Sequence, residues 1–133
     1  MADILLTGLY NQKQREFKST NLDRFDNDFI DAVNRSVRRI NRLADLESPA
    51  STVNAVNASV TGLDEAYEDI LSDGVSYNLM VMGQKPIRDV DVGSLLIRFD
   101  EGISSTYYKI INDLQNADDD DDTSDIIGLG TLG

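Results

Sequence analysis

Five consecutive aspartates, Asp118 to Asp122, form the densest group of potential metal ligands in the sequence. Asp118, Asp120 and Asp122 have the spacing of the first, third and fifth ligands of a calcium-binding loop. The sixth position is Thr123, where that loop requires glycine, and the twelfth is Leu129, where it requires a bidentate glutamate. We therefore predict no metal site here beyond weak association with divalent ions.

Side chains suited to catalysis are scarce. The chain of 133 residues contains no cysteine and no histidine, which excludes a thiol nucleophile, a histidine base and a zinc site built on either residue. The carboxylate pairs Asp64 with Glu68 and Asp100 with Glu101 have the chemistry of a general acid and base, but such pairs on amphipathic helices usually form a solvated face. The sequence has no glycine-rich phosphate loop and no nucleophile elbow. We predict no enzymatic activity and no cofactor.

A row of arginines is the main basic feature: Arg35, Arg38, Arg39 and Arg42. Acidic residues are plentiful nearby and no aromatic residues alternate with these arginines, so a salt-bridged face between subunits is favoured over nucleic-acid binding. The net charge is −12; residues 1–45 carry eight Lys/Arg against seven Asp/Glu, and residues 46–133 carry four against seventeen. This balance argues against broad electrostatic binding of DNA, which requires cations to neutralise phosphates.

The arginines lie on the strongest helix of the sequence, over residues 22–46. Either Asn21 or Asp23 is suited to cap its start. Asp23 and the following aspartates precede the arginines, an order that suits the helix dipole. Apolar residues separated by three or four positions form one stripe of this helix: Leu22, Phe25, Phe29, Val33, Val37, Ile40 and Leu43.

Two further helices are predicted after a polar connection. Pro49 ends the first helix, and the valines between residues 51 and 61 permit a short strand there. A second helix is predicted from a cap at Thr61 to about Met82, with Gly83 and Pro86 ending it. The third is predicted to open at Asp89 or Asp91 and to end near residues 115–116. Each contains an internal glycine, Gly74 and Gly102, and we interpret these glycines as a close crossing of helices.

The sequence thus predicts a mainly α protein: a small helical bundle of three or four helices with a long connection and extended terminal arms. We divide it into an N-terminal arm (1–20), part helical or frayed, a helical domain (21–116) and a C-terminal arm (117–133).

Self-repulsion predicts that the aspartate run stays extended in water. The apolar residues after it, between Ile126 and Leu132, are expected either to dock on a partner or to form an inert tail. The apolar run at residues 4–6 is too short for a signal peptide or membrane span.

Longer patterns resemble a known family. Residues 25–41 follow the form F-x-x-x-F-I-x-A-V-N-x-x-V-x-x-I-N. A polar connection then ends in TGLDEAYE at 61–68, followed by ILSDGVSYNL at 70–79 and LLIRFD at 95–100. Over roughly residues 20–115, this order of parts resembles the head–tail connector, or adaptor, proteins of tailed bacteriophages.

The resemblance implies a structural virion protein, made in the host cytoplasm and located in the neck at the head–tail junction. Copies would form a homo-oligomeric ring, usually a dodecamer, beneath the portal protein, and would support the next neck or tail component. Genomic DNA would pass through the channel without specific binding, because an acidic wall repels phosphates. The family's C-terminal extension commonly reaches the portal, and this resemblance assigns the portal-binding arm to Ile126, Ile127, Leu129 and Leu132. We assign the subunit interface to Arg35, Arg38, Arg39 and Arg42, and expect no membrane partner.

A second hypothesis belongs to another functional class. A small acidic regulatory or DNA-mimic protein would use the aspartates of 118–122 to imitate phosphates, with the helices as a scaffold. Such a protein would bind a basic partner in a salt-dependent way. An arm that docks through aliphatic side chains such as Ile126 would resist salt much better.

Overall fold

The computed structural model describes residues 4–18, 21–44 and 50–122, with side chains as far as residue 115, and confirms a mainly helical bundle. Four α-helices are accompanied by a 3-10 turn and two ladders of two residues per strand in this part of the chain. In chain order the elements are β1 (Ile4–Leu5), α1 (Leu6–Glu16), β2 (Phe17–Lys18), α2 (Leu22–Leu43), β3 (Ser59–Val60), a 3-10 turn (Glu65–Tyr67), α3 (Glu68–Val81), β4 (Lys85–Pro86) and α4 (Val92–Asp122).

Helix α2 forms where the sequence predicts it. The Asn21 side chain accepts a hydrogen bond from the backbone N–H of Arg24 at 3.0 Å, which confirms one of the two proposed caps. The central residues of the stripe, including Phe29 and Val37, are fully buried. Leu22 and Leu43, at its two ends, are exposed.

Helix α3 begins later than predicted. Gly62 adopts a φ of +83°, a left-handed conformation that a helix starting at Thr61 cannot contain. Asp64 provides the cap instead, accepting from the backbone N–H of Ala66 at 2.8 Å and opening the 3-10 turn before α3. The predicted end is confirmed, since Gly83 has a φ of +96° and turns the chain out of the helix.

Helix α4 is longer than predicted. The carboxylate of Asp91 accepts from the backbone and hydroxyl of Ser94 at 3.0 and 2.7 Å; these bonds lower the pKa of Asp91 and confirm its capping role. The helix then continues through Asp122 instead of ending near residues 115–116. The prediction that the aspartate run is extended is therefore wrong for its backbone. No glycine or proline follows Gly102 before residue 122, so the sequence lacks the residues that most readily stop a helix.

The predicted role of the two internal glycines is confirmed. A Cβ atom added at Gly74 would lie 2.5 Å from Phe99 Cζ and 2.8 Å from Ser36 Oγ, and one at Gly102 would lie 2.9 Å from Ile70 Cγ1. Glycine at these two positions lets α3 pack closely against α2 and α4. Beside Gly74, the Asn78 amide donates to Ser36 Oγ at 3.1 Å and to the Gly74 carbonyl at 2.9 Å, so the polar groups at this crossing are satisfied.

Two asparagines of α2 hold the long connection in place. The side chain of Asn34 both donates to the carbonyl of Val53 and accepts from its N–H, at 2.9 and 2.7 Å. Asn41, two turns later on the same face, binds the backbone of Ala50 in the same way at 3.1 and 2.9 Å. A backbone otherwise short of partners is thus satisfied by side chains. The connection ends in β3, which confirms the predicted short strand.

The N-terminal segment differs from the predicted arm over its described residues. Ladders at both ends of α1 tie it to the bundle: β1 pairs antiparallel with β3, and β2 pairs antiparallel with β4. Ile4, Leu6 and Phe17 are buried in the same core as α2, α3 and α4. This burial makes residues 4–18 an integral layer of the bundle.

Candidate functional site

The predicted interface arginines separate into two groups. Arg35, Arg38 and Arg42 are spaced by three and four residues and lie exposed on one face of α2. Arg35 lies 3.9 Å from Asp31 on the same face. Arg38 and Arg42 make no ion pair with any residue that the structure describes. This three-arginine face remains the predicted subunit interface.

Arg39 instead has its partner inside the chain. It lies one residue after Arg38, about 100° around the helix, and points toward α4. Its Nε and Nη2 atoms donate to the two carboxylate oxygens of Asp100 at 2.6 and 2.7 Å. The hydrogen bond to Asp100 raises the pKa of Arg39. This bidentate pair joins α2 to α4, so the charge of Arg39 is already matched within one subunit.

Exposed carboxylates gather at the start of α3. Asp64, Glu65, Glu68 and Asp69 are all exposed, and we call them the acidic face. Asp64 caps the 3-10 turn. The structure therefore gives the candidate acids Asp64 and Asp100 structural partners, and the bond between Asp100 and Arg39 holds that carboxylate against α2.

The last part of α4 extends beyond the bundle. The helix has 31 residues, against 14 in α3 and 22 in α2. At about 1.5 Å per residue, that is roughly 46 Å of helix. Residues 112–115 are exposed, and Leu114 is 60% exposed although it continues the buried stripe of α4. The predicted portal-binding residues, Ile126, Ile127, Leu129 and Leu132, follow α4 in the sequence and lie outside the described residues.

A cleft of about 670 Å³ lies between α1, the segment around β4 and the start of α4. Lys13 on its wall is only 3% exposed, and its Nζ donates to Glu16 Oε1 at 2.9 Å and to Ser72 Oγ at 2.8 Å. Arg98, which also lines the cleft, donates to both carboxylate oxygens of Asp73 at 3.0 and 3.1 Å. These charged groups of the cleft wall are therefore satisfied within the chain.

Four cations without an ion pair among the described residues surround the β2–β4 ladder. Lys18 and Lys85 are direct cross-strand partners. Arg15, in the last turn of α1, and Arg88, two residues after β4, both line the cleft next to this ladder. We call these four residues the basic corner. Like charges placed opposite each other destabilise a ladder, so the fold by itself does not account for this arrangement.

Sequence analysis did not identify the basic corner. The segments 15–18 and 85–88 are far apart in the chain, and each contains two basic residues separated by three positions. Only the pairing of two-residue strands brings them together, and strands this short leave no period-two pattern in the sequence. The repeated spacing of basic residues around Phe17 and Pro86 was the one available signal.

Two tyrosines, one partly buried and one fully buried, complete the set of groups with a shifted pKa. The Tyr10 hydroxyl donates to Asp26, joining α1 to α2, and this bond raises the pKa of Tyr10 to about 12. Burial raises the pKa of Tyr67, whose hydroxyl has no hydrogen-bond partner in the described part of the chain. Tyr67 is buried in the core and Tyr10 packs against it, so we interpret both as structural groups.

No group of three or more acidic side chains in the described part is arranged to hold a metal ion. No described helix combines the length and the apolar character needed to cross a membrane. The calcium-like spacing at Asp118 to Asp122 falls on side chains outside the description.

No protein-family model, no curated protein and no solved structure matches this chain. The features of the molecule that bear on function are the charged faces of the bundle, the cleft with its basic corner, and the overhanging end of α4.

Proposed function

We propose that the protein is a structural head–tail adaptor of a tailed bacteriophage and has no catalytic role. Copies form a ring beneath the portal protein, a dodecamer in the family that the sequence resembles. The ring extends the DNA channel and joins the capsid to the next neck or tail component. The protein is made in the host cytoplasm and resides in the neck of the virion.

The observation that carries this proposal is the overhang of α4. A helix end with an exposed Leu114 is followed by an acidic spacer and then by Ile126, Ile127, Leu129 and Leu132. Burial of apolar surface is the main stabilising term in folding and association, so these four aliphatic side chains would gain free energy by docking on a partner. A groove or sheet edge on the portal would bury this segment.

Opposite charges on different faces support a ring. The three-arginine face of α2 and the acidic face at the start of α3 are both exposed within one subunit. Such faces make a heterologous contact, in which each copy uses one face toward each neighbour, and a closed series of these contacts is a ring. The net charge of −12 suits a channel through which DNA moves without being captured.

The experiment is electron microscopy of candidate portal rings mixed with three proteins: the full chain, a chain lacking residues 117–133, and the double variant Ile126→Ser/Ile127→Ser. We expect coaxial rings stacked on the portal with the full chain only. The double variant is the matched control, since it keeps α4 and every charge. Rings that form equally with all three would retain the adaptor and overturn the assignment of the portal-binding arm.

A second comparison separates the adaptor from the acidic DNA mimic. Docking by aliphatic side chains should persist at high salt, whereas a mimic should bind a basic protein at low salt only. If every portal tested fails to recruit the full chain and a basic protein binds it at low salt only, the adaptor proposal is wrong. The charge reversal Arg38→Glu/Arg42→Glu should abolish the ring, and adding Glu65→Arg/Glu68→Arg should restore it.

A further inference from the structure

We infer that the cleft and its basic corner bind the acidic end of α4, Asp118 to Asp122, from a second copy of the chain. This inference rests on the proposed function only in requiring that copies lie side by side. The new element is a contact between the cleft of one copy and the aspartates of 118–122 of the next. The apolar residues from Ile126 onward remain free to dock elsewhere.

The cleft offers an anion two arginines that the fold leaves unpaired. Arg15 and Arg88 line it and are exposed, and neither makes an ion pair within the described residues. The charged groups behind them, including Lys13 with Glu16, are already satisfied inside the wall. An incoming carboxylate would therefore meet Arg15 and Arg88 without having to break an existing pair. Arginine binds carboxylates in a bidentate geometry, which favours it over lysine at such a site.

The chain itself contains the complementary group. Residues 117–133 hold six aspartates and no lysine or arginine. Five of these aspartates end α4, and the negative end of a helix dipole adds to their attraction for cations. The exposed Ile87 and Val90 at the mouth of the cleft provide apolar surface beside the arginines.

Geometry excludes binding within one chain. Leu95 and Arg98, at the start of α4, line the cleft. Asp118 and Asp122 belong to the same continuous helix. At about 1.5 Å per residue, they lie about 30 and 36 Å along the helix from Arg98. A straight helix keeps these aspartates away from its own cleft, so the occupant must come from another copy. The overhang of α4 allows it to reach a neighbour.

Nucleic acid is the competing source of anionic groups. The basic corner contains four cations on a chain whose net charge is −12, so a long phosphate backbone would meet repulsion on either side of it. A short acidic segment presents its charge only where the cations lie. This difference favours the second copy over DNA.

The experiment uses disulfide trapping in full-length chains, since the native sequence has no cysteine. One copy carries Thr123→Cys, next to the aspartates, and the other carries Val90→Cys, at the mouth of the cleft. We expect oxidation of the mixture to give disulfide-linked heterodimers. The matched control pairs Thr123→Cys with Ser104→Cys, an exposed position on α4, and should give at least about tenfold less, the change expected for about 1.4 kcal/mol.

Charge variants test the cause of the contact. Adding Arg15→Glu/Arg88→Glu to the Val90→Cys chain should reduce trapping at least about tenfold, whereas adding Lys109→Glu to the same chain should change it less than twofold. Circular dichroism melting checks that each variant folds, and Arg88→Gln serves if the double reversal does not. Trapping that is equal at both cysteine positions, absent, or unaffected by these charges would overturn the inference.

The remaining outcomes distinguish the partners. A 20-base-pair DNA duplex that binds the chain through Arg15 and Arg88, without any trapping, would assign the site to nucleic acid and overturn the second copy. Trapping without recruitment to a portal would support the cleft contact and count against the adaptor. Portal rings without trapping would keep the adaptor and discard the cleft contact.

Discussion

Two ladders tie α1 to the bundle, and both have two residues per strand. They differ in the side chains that they pair. In the β1–β3 ladder, Ile4 pairs with Val60, and both side chains are buried. In the β2–β4 ladder, Lys18 pairs with Lys85, and both are exposed. The first ladder buries apolar surface, whereas the second holds like charges together at some cost in stability.

This difference indicates which parts of the surface the fold requires and which parts it tolerates. Any sequence that folds in this way needs an apolar pair such as Ile4 with Val60. Nothing in the packing needs two lysines opposite each other, with Arg15 and Arg88 beside them. Features that reduce stability without a structural reason often serve function, and the basic corner is the clearest such feature in this molecule.

The largest expected effect comes from breaking the buried ladder. Ile4→Ala should lower the free energy of unfolding by about 2–4 kcal/mol, because it removes a fully packed side chain and leaves a cavity. The measurement is urea unfolding followed by circular dichroism. Leu5→Ala, on the adjacent residue, is the control: Leu5 is 58% exposed against 2% for Ile4, so its loss should be within about 0.5 kcal/mol. Equal losses would show that β1 does not anchor the N terminus.

A smaller effect is expected midway between the ladders, at the bond from Tyr10 to Asp26. Tyr10→Phe should cost about 1 kcal/mol at pH 8. The bond raises the pKa of Tyr10 to about 12 from an ordinary value of 10.0, so it favours the neutral hydroxyl in the folded state. Its contribution is complete below pH 10 and is lost as the pH rises through 12.

Unfolding measured at pH 8 and pH 11 checks this dependence. The difference between wild type and Tyr10→Phe should shrink at the higher pH. Tyr108→Phe is the matched control, since Tyr108 is exposed and its hydroxyl makes no hydrogen bond to the described residues. A difference for Tyr10→Phe that stays constant between the two pH values would contradict the assigned role of the bond.

The smallest effect has the opposite sign. Lys18→Glu places a carboxylate opposite Lys85 and should raise the free energy of unfolding by about 0.2–1 kcal/mol. The same substitution lowers the positive charge of the basic corner, so it should weaken the cleft contact while stabilising the fold. Lys18→Glu/Lys85→Glu restores repulsion and should cancel the gain in stability. A Lys18→Glu chain that is less stable than wild type would show that the two lysines do not repel.

The helices and their crossing follow from local signals in the sequence. A long amphipathic stripe predicts α2, and the spacing of Gly74 and Gly102 within the other two stripes predicts a close approach. The start of α3 was missed because the left-handed turn at Gly62 competes with the cap at Thr61. The end of α4 differs from the prediction because no glycine or proline stops the helix between Gly102 and Asp122.

Contacts between distant segments account for what the sequence did not predict. The connection is held by Asn34 and Asn41, whose partners are backbone atoms that a sequence pattern does not identify. The ion pair from Arg39 to Asp100 required knowing which way α4 crosses α2. The basic corner required the register of a ladder with two residues per strand. In each case the signal lies in tertiary geometry, while the predicted portal-binding residues lie outside the described chain.

The overhang also gives the end of α4 the mechanics of a lever. Gly102 lies against Ile70, and Ile110 still packs against the core, so the free part of the helix begins after Ile110. From Ile110 to Asp122 the helix extends about 18 Å. A tilt of about 10° where the helix leaves the core would move the tip by roughly 3 Å. A small adjustment inside the bundle would therefore be magnified at the end that meets other proteins.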